Sequence, residues 1–122
     1  MAKEIQLKQN DTLVYPQLEL KEHTIQFVDG YSGKYVCYSL NGLCFFSCEI
    51  VSVNPISNSW TNVILLPSEI FAPKMDIFLF TNSVGQNIDI GAVLYYNKIS
   101  IRAYTTYGTG NTVRLFGFWK IG

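Results

Sequence analysis

Apolar and polar side chains alternate along most of this chain, in short runs rich in Val, Ile, Phe, Tyr and Thr. A period of two sends successive side chains to opposite faces of a strand, and no segment of 11 or more residues keeps a helical period. Gly, Asn, Pro and Ser separate the runs, which predicts an all-β fold: an antiparallel, jelly-roll-like β-sandwich with little helix beyond a turn near 67–71. The eight predicted strands are 24–28, 34–40, 43–53, 61–66, 76–81, 88–96, 99–105 and 113–120.

The alternation is clearest between residues 88 and 104, where it predicts a hairpin that turns at Asn97-Lys98. One face of this hairpin is then a wall of the core, with the pairs Tyr96–Ile99, Leu94–Ile101 and Ala92–Ala103. The other face is mixed, with the pairs Tyr95–Ser100, Val93–Arg102 and Gly91–Tyr104. A slip of one residue would exchange the two faces.

Asn41-Gly42 predicts a second hairpin, because both residues tolerate the positive φ angles of a type I′ turn. Leu40 then faces Leu43, and Tyr38 faces Phe45. Both faces of this hairpin are apolar, although a two-layer sandwich buries only one face of each sheet. A loop or a partner chain should cover the second face, and the pattern favours a partner.

Residues 1–23 differ in character from the sandwich domain predicted for residues 24–122, because charged side chains are densest there, with seven of the 18 in the chain. Pro16 limits regular strand structure near it. We expect either an arm that docks on another protein or protomer, or an edge strand followed by a loop.

Composition narrows the possible functions. The 122 residues make one domain, with 15% charged residues, 15% aromatic residues and a net charge of zero. This balance argues against nucleic-acid binding through phosphate neutralisation. The start of the chain lacks the apolar run of a signal peptide, and no stretch reaches membrane-spanning length, so we expect synthesis in a cytoplasm and no membrane insertion. Neutral hydrogen-bonding side chains suit sugars or wet subunit contacts.

Three cysteines, Cys37, Cys44 and Cys48, do not form a disulfide framework or a zinc motif. Cys44 and Cys48 share a strand face roughly 13 Å apart, and Cys37 could approach Cys48 diagonally with poor geometry. We expect buried thiols that act as small hydrophobic groups, and neither a metal nor a cofactor.

Catalytic motifs are not recognisable. His23 is the single histidine, and neither GxSxG nor HExxH accompanies it, so a solvated or capping role is expected. The carboxylates are scattered, with no spacing that singles out a glycosidase pair. The segment 107–111 lacks the lysine and helix of a phosphate loop. The chain is therefore expected not to be an enzyme.

Ligand-binding candidates are easier to find. Trp60 follows the polar run 54–59, where its indole either stacks on a sugar ring, with Asn58 bonding hydroxyls, or caps the core. Arg102 is predicted to form a cross-strand group with Tyr95 and Tyr104 on the mixed hairpin face, where it could hold a ligand or a neighbouring protomer. The full set of candidates is Asn58, Trp60, Tyr95, Arg102, Tyr104, Tyr107 and Asn111. For Trp119, on the last strand, a packing role is expected.

Three segments together resemble the head domain of bacteriophage receptor-binding or tail-fibre proteins. The first runs from Trp60 to Lys74, with a strand that ends in Leu66-Pro67 and a loop with an aromatic residue and a second proline. The second is the hairpin from Gly91 to Arg102, and the third is the closing strand from Leu115 to Ile121. The opening residues 1–8, with Tyr15-Pro16 after them, also resemble the start of phage tail and baseplate proteins.

The resemblance implies a non-catalytic homotrimer in a virion tail tip or baseplate that recognises a host cell-wall saccharide and contacts other tail or baseplate proteins. Such heads usually follow a long neck, for which this chain has no room, so a main adhesin and a short accessory protein both remain open. A purely structural tail or baseplate component is the alternative, and an accessory domain of a cell-wall hydrolase is a more distant one.

Overall fold

Two five-stranded antiparallel sheets make up most of the molecule in a computed structural model that describes residues 7–9, 12–14, 20–84, 89–104 and 111–122. In chain order the strands are β1 (Leu7–Gln9), β2 (Thr12–Val14), β3 (Lys21–Glu22), β4 (Gln26–Phe27), β5 (Tyr31–Leu40), β6 (Leu43–Ser52), β7 (Thr61–Leu65), β8 (Ile77–Phe78), β9 (Phe80–Ser83), β10 (Ile90–Tyr95), β11 (Lys98–Ala103) and β12 (Thr112–Lys120). Sheet I has the order β4-β7-β11-β10-β8, and sheet II has the order β3-β5-β6-β12-β9. The predicted all-β antiparallel sandwich is confirmed.

The two sheets contain ten strands instead of about eight, partly because one predicted strand divides between them. Phe78 pairs with Val93 in sheet I, whereas Phe80 pairs with Phe116 in sheet II. Leu79, between them, is buried and packs over Gly117, where a Cβ would meet Leu79 Cδ2 at 2.5 Å. The chain therefore crosses from one layer to the other at a single residue. The predicted turn near 67–71 is a 3₁₀ turn at Ser68–Ile70.

The β5–β6 hairpin turns at Asn41-Gly42 as predicted, with φ angles of 51° and 77° and Leu40 opposite Leu43. Its inner face is buried, and it contributes Cys37, Cys44, Phe46, Cys48 and Ile50 to the core. Its outer face remains exposed at Val36, Phe45 and Val51. The sequence prediction of two apolar faces is thus confirmed for this hairpin.

The β10–β11 hairpin turns at Tyr96-Asn97, so the predicted turn at Asn97-Lys98 and every pair built on it are wrong. The observed pairs are Ile90–Ala103, Gly91–Arg102, Ala92–Ile101, Val93–Ser100, Leu94–Ile99 and Tyr95–Lys98. Each partner has moved by two residues, which leaves every strand side chain on its predicted face. The core wall of Ile90, Ala92, Leu94, Ile99, Ile101 and Ala103 is accordingly buried.

The cause of this register is a contact from the loop that follows β7. The backbone amides of Leu66 and Ala72 donate hydrogen bonds to the carbonyl oxygens of Asn97 (2.9 Å) and Tyr96 (2.8 Å). Tyr96 adopts a left-handed φ of 55°, and its ring packs 4.7 Å from that of Phe71. These contacts offset the cost of about 1–2 kcal/mol for a left-handed non-glycine residue.

Trp119 has the packing role expected for it, because it is buried at the end of β12 beside Phe46. Its indole Nε1–H donates to the carbonyl oxygen of Ile70 at 2.8 Å, which satisfies a polar group that would otherwise be buried without a partner. The last strand thereby anchors the 3₁₀ turn to the core.

The N-terminal strands β1 and β2 pair with each other, with Leu7 opposite Val14. Strand β3 joins sheet II through Lys21 opposite Ser39, two residues before the boundary predicted for the sandwich. Pro16 lies outside the described residues. Docking by residues 1–23 stays a prediction.

All three cysteines are buried free thiols, as expected. The diagonal neighbours are Cys37 and Cys44, with sulfur atoms 3.7 Å apart, and not the Cys37–Cys48 pair that the sequence suggested. A hydrogen bond with Cys37, together with burial, raises the pKa of the Cys44 thiol. Burial raises the pKa of Cys48 from 9.0 to about 12, although a hydrogen bond with the Leu115 backbone acts in the opposite direction.

The raised pKa of Cys48 predicts a loss of stability in alkali. Between about pH 9 and 12 the Cys48 thiol of the unfolded chain ionises, while that of the folded protein keeps its proton. The free energy of unfolding therefore has its full value below pH 9 and falls as the pH rises above 9. We expect the free energy of unfolding of the wild type, relative to Cys48→Ala, to fall by up to about 2 kcal/mol between pH 8.5 and 11. Urea titration of both proteins across this range measures it, and a difference independent of pH would contradict the prediction.

Candidate functional site

An arginine that contacts two exposed aromatic rings marks the outer face of sheet I. The guanidinium carbon of Arg102 lies 4.9 Å from the ring centroid of Tyr104 and 5.8 Å from that of Trp60. The two rings meet edge to face, with centroids 6.3 Å apart at 89°. We call these three residues the arginine cluster. Trp60 and Tyr104 are 42% and 52% exposed, so the indole is not a cap on the core.

Local structure explains why the cluster forms. Trp60 directly precedes β7, while Arg102 lies on β11, the strand paired with β7. The backbone amide of Ala103 donates to the Ser57 carbonyl oxygen at 2.8 Å, which ties the loop before Trp60 to β11. Arg102 Nε is buried without a hydrogen-bond partner in the structure, and the guanidinium lies within cation–π distance of both rings, a contact worth about 0.5–2 kcal/mol per ring.

The missing side chain of Gly91 leaves the space that the Tyr104 ring occupies. Gly91 lies opposite Arg102 on β10, and a Cβ there would come within 2.7 Å of Tyr104 Cε2. The Tyr104 ring therefore rests on the glycine backbone, and any larger residue at position 91 would displace it.

Tyr104 also forms a wall of a pocket of about 440 Å³. Residues that carry hydroxyl, amide and carboxylate groups line the rest of the pocket, together with Ile90: Thr81, Asn82, Ser83 and Asp89. The Thr81 hydroxyl donates to the Ile90 carbonyl oxygen at 2.7 Å, while Asn82 and Asp89 are exposed. One aromatic wall with several polar groups is the arrangement that binds hydroxyl-rich ligands.

The remaining predicted site residues do not join the cluster. Tyr95 lies opposite Lys98, four positions along β10 from Gly91, or about 13 Å at the spacing of a strand, so its predicted grouping with Arg102 is wrong. The register shift described above is the reason. Asn58 is exposed on the loop before Trp60. Asn111 lies beside sheet II, where its carbonyl oxygen accepts from the Ser52 amide at 2.7 Å. Tyr107 lies outside the described residues.

His23 is buried and not solvated, contrary to expectation, because β3 carries it onto sheet II. Its Nε2 lies 2.6 Å from Ser39 Oγ, and its Nδ1 lies 3.4 Å from a carboxylate oxygen of Glu69. Sequence reasoning missed this arrangement, since the three residues lie far apart along the chain. Alternation places Ser39 on the same face of β5 as Cys37, but nothing in the pattern places His23 or Glu69 beside it.

The outer face of sheet II carries four phenyl groups. Phe80 and Phe116 stack 4.7 Å apart at 11°, and Phe45 lies 6.4 Å from Phe118. These four rings are between 44 and 60% exposed. We call them, with Val36, the aromatic face. An ion pair between Arg114 Nε and Glu49 Oε2, at 3.1 Å, borders it.

Comparison with known proteins gives no match to a family model, a curated protein or a solved structure. Among the described residues, no group of three or more His, Cys, Asp or Glu side chains could hold a metal ion. No helix in this part of the chain is long and apolar enough to cross a membrane.

The packing of Tyr104 on Gly91 can be tested directly. Gly91→Ala should push the Tyr104 ring aside and disturb the edge of Trp60, while the buried Trp119 stays unchanged. Two-dimensional ¹⁵N NMR reports the two tryptophan indole N–H groups separately. We expect the Trp60 signal to move and the Trp119 signal to stay, and an unmoved Trp60 signal would contradict the contact.

Proposed function

We propose that the outer face of sheet I recognises a carbohydrate, and that the protein is the receptor-binding part of a phage tail tip or baseplate. The observation that carries the first half is Tyr104, which belongs to the arginine cluster and also walls the polar pocket with Asn82 and Asp89. The phage assignment rests on the resemblance of the sequence alone.

A neutral or weakly acidic sugar fits this site better than a phosphate-rich ligand. The chain has no net charge, and one guanidinium stands among two rings and several uncharged polar groups. Aromatic rings stack on the apolar face of a pyranose, while amide and hydroxyl groups bond its hydroxyls. Arg102 adds a charged donor for a carboxylate or hydroxyl. Binding at this face is non-catalytic in the proposal.

The aromatic face supports assembly into the homotrimer. Four phenyl rings exposed side by side form a surface that soluble monomers rarely leave open, and it lies on the side of the sandwich opposite the arginine cluster. Self-association through this face would leave the arginine cluster of each copy free on the other sheet, so weak individual affinities would combine into avidity.

A purely structural tail or baseplate component is the second candidate function, and the same aromatic face favours it. In that case another virion protein would cover the phenyl rings, and the arginine cluster would have no ligand.

Sugar binding is tested by glycan-array and whole-cell binding of the wild type with two variants. Arg102→Ala should weaken binding at least about ten-fold, which corresponds to about 1.4 kcal/mol, because it removes the cation that contacts both rings. Tyr95→Ala is the matched control: it removes an exposed tyrosine of the same hairpin outside the cluster, and binding should persist. Wild-type protein that binds no sugar in a broad panel would favour the structural alternative.

Assembly is tested by light scattering in dilute buffer. We expect a particle of three times the 13.8 kDa chain mass for the wild type. Phe116→Glu should dissociate it, because the substitution places a carboxylate in the centre of the aromatic face. Trp60→Ala, on the opposite sheet, should leave the trimer intact. A wild-type particle of 13.8 kDa would contradict the proposed assembly.

A further inference from the structure

Ser39, His23 and Glu69 form a hydrogen-bonded chain at a pocket of about 870 Å³, away from the arginine cluster. Lys21, Asn41 and Gly42 also line this pocket, which we call the histidine pocket. The sequence of groups, hydroxyl to imidazole to carboxylate, is the one that activates a serine for nucleophilic attack.

Backbone pairing fixes each member of the chain. Ser39 lies on β5 opposite Lys21 of β3, and the amide of His23 donates to the Cys37 carbonyl oxygen at 2.9 Å. Glu69 lies in the 3₁₀ turn at Ser68–Ile70, whose Ile70 carbonyl oxygen is held by Trp119. Three separate elements therefore hold the three side chains together.

A general-base role requires one tautomer of a neutral His23, and both ring contacts are compatible with it. Two hydrogen bonds lower the pKa of the Glu69 carboxyl: the larger effect comes from the backbone amide of Glu69, and the next from His23. The carboxyl therefore stays an anionic acceptor. Nδ1 of a neutral His23 then carries the hydrogen that points to Glu69. Its Nε2 has the free lone pair and accepts from the Ser39 hydroxyl at 2.6 Å, as a general base must.

We propose that Ser39 is the nucleophile of an ester-hydrolysing site, with His23 as general base and Glu69 as the residue that orients it. Ser39 Oγ attacks the ester carbonyl carbon while its proton passes to His23 Nε2. The carbon–oxygen bond to the alcohol breaks, and Nε2 returns the proton to the departing oxygen. Water then attacks the acyl-serine by the same route, which releases the acid and restores Ser39.

The pocket selects the substrate class. Ser39 is only 7% exposed, so its hydroxyl lies below the pocket surface and a short acyl group reaches it more easily than a long one. The Asn41 side chain and the Gly42 backbone in the pocket wall carry N–H groups of the kind that stabilise an oxyanion. Esters of small acids, such as acetyl esters, are therefore the expected substrates.

This inference goes beyond the proposed function and is independent of it. A positive result would overturn the expectation from the sequence that the chain is not an enzyme. A Ser39–His23 hydrogen bond that only pairs two buried polar groups would have the same geometry. The test therefore measures the reactivity of the Ser39 hydroxyl.

A fluorophosphonate probe tests the nucleophile, with intact-mass spectrometry as the readout. The folded 122-residue protein should gain one adduct on Ser39, at least about 100-fold faster than the protein unfolded in guanidinium. Ser39→Ala should abolish the adduct, and Glu69→Gln should slow it at least about ten-fold. Ser52→Ala, which removes another buried serine of sheet II, is the matched control and should react like the wild type. Equal rates for folded and unfolded wild type would overturn the proposal, even if a variant fails to fold.

Hydrolysis of p-nitrophenyl acetate and p-nitrophenyl octanoate tests the substrate class. The acetate should be hydrolysed faster, and Ser39→Ala should lose this activity while it retains glycan binding. Arg102→Ala should retain fluorophosphonate labelling, so that failure of this site and failure of the sugar site can be told apart. An activity that survives in Ser39→Ala would overturn the assignment of Ser39.

Discussion

Two sheets that share one core constrain everything else in this protein. Side chains alternate along the long strands of both sheets, so each of these strands gives one row to the core and one row to the outer face. The inner rows are filled by aliphatic groups such as Ile50, Leu94, Ile99 and Leu115, all of which are nearly or completely buried. Once these rows hold the layers together, the outer rows are free to differ. Sheet I uses its outer row for an arginine and aromatic rings, and sheet II uses its own for phenyl groups.

The face of each hairpin residue could be predicted from the sequence, but the pairing of β10 with β11 could not. Alternation assigns a residue to a face, and a register change of two residues preserves that assignment. Ala92 and Ile101 are therefore buried as predicted, although Ile101 faces Ala92 and not Leu94. The register depends on hydrogen bonds from Leu66 and Ala72, which belong to a loop about 30 residues earlier in the chain. No local pattern contains that information.

The same limit applies to the two candidate sites. Trp60, Arg102 and Tyr104 were recognised one by one as exposed polar or aromatic positions, and their meeting follows from the pairing of β7 with β11. Ser39, His23 and Glu69 form no motif, because residues 23 and 69 are 46 positions apart and each belongs to an irregular or very short element. Only the folded sheet brings the imidazole to the serine. A site assembled from such elements leaves no characteristic spacing in the sequence.

The arginine cluster and the aromatic face lie on opposite sheets of one sandwich, whereas the polar pocket beside Tyr104 is also lined by Asn82 of β9, the strand that carries Phe80. Any partner that covers the aromatic face of sheet II leaves the outer face of sheet I open, whether the partner is another copy of this chain or a different protein. The arginine cluster therefore does not depend on the identity of that partner. The affinity of the assembled protein for sugar does depend on the partner. A single site with one guanidinium and two rings offers few strong contacts. Several copies held on one surface raise the effective affinity without new contacts. Because the chain has no net charge, long-range electrostatic attraction does not draw it to a charged surface. Binding through several sites at once is therefore the simplest way to raise its affinity.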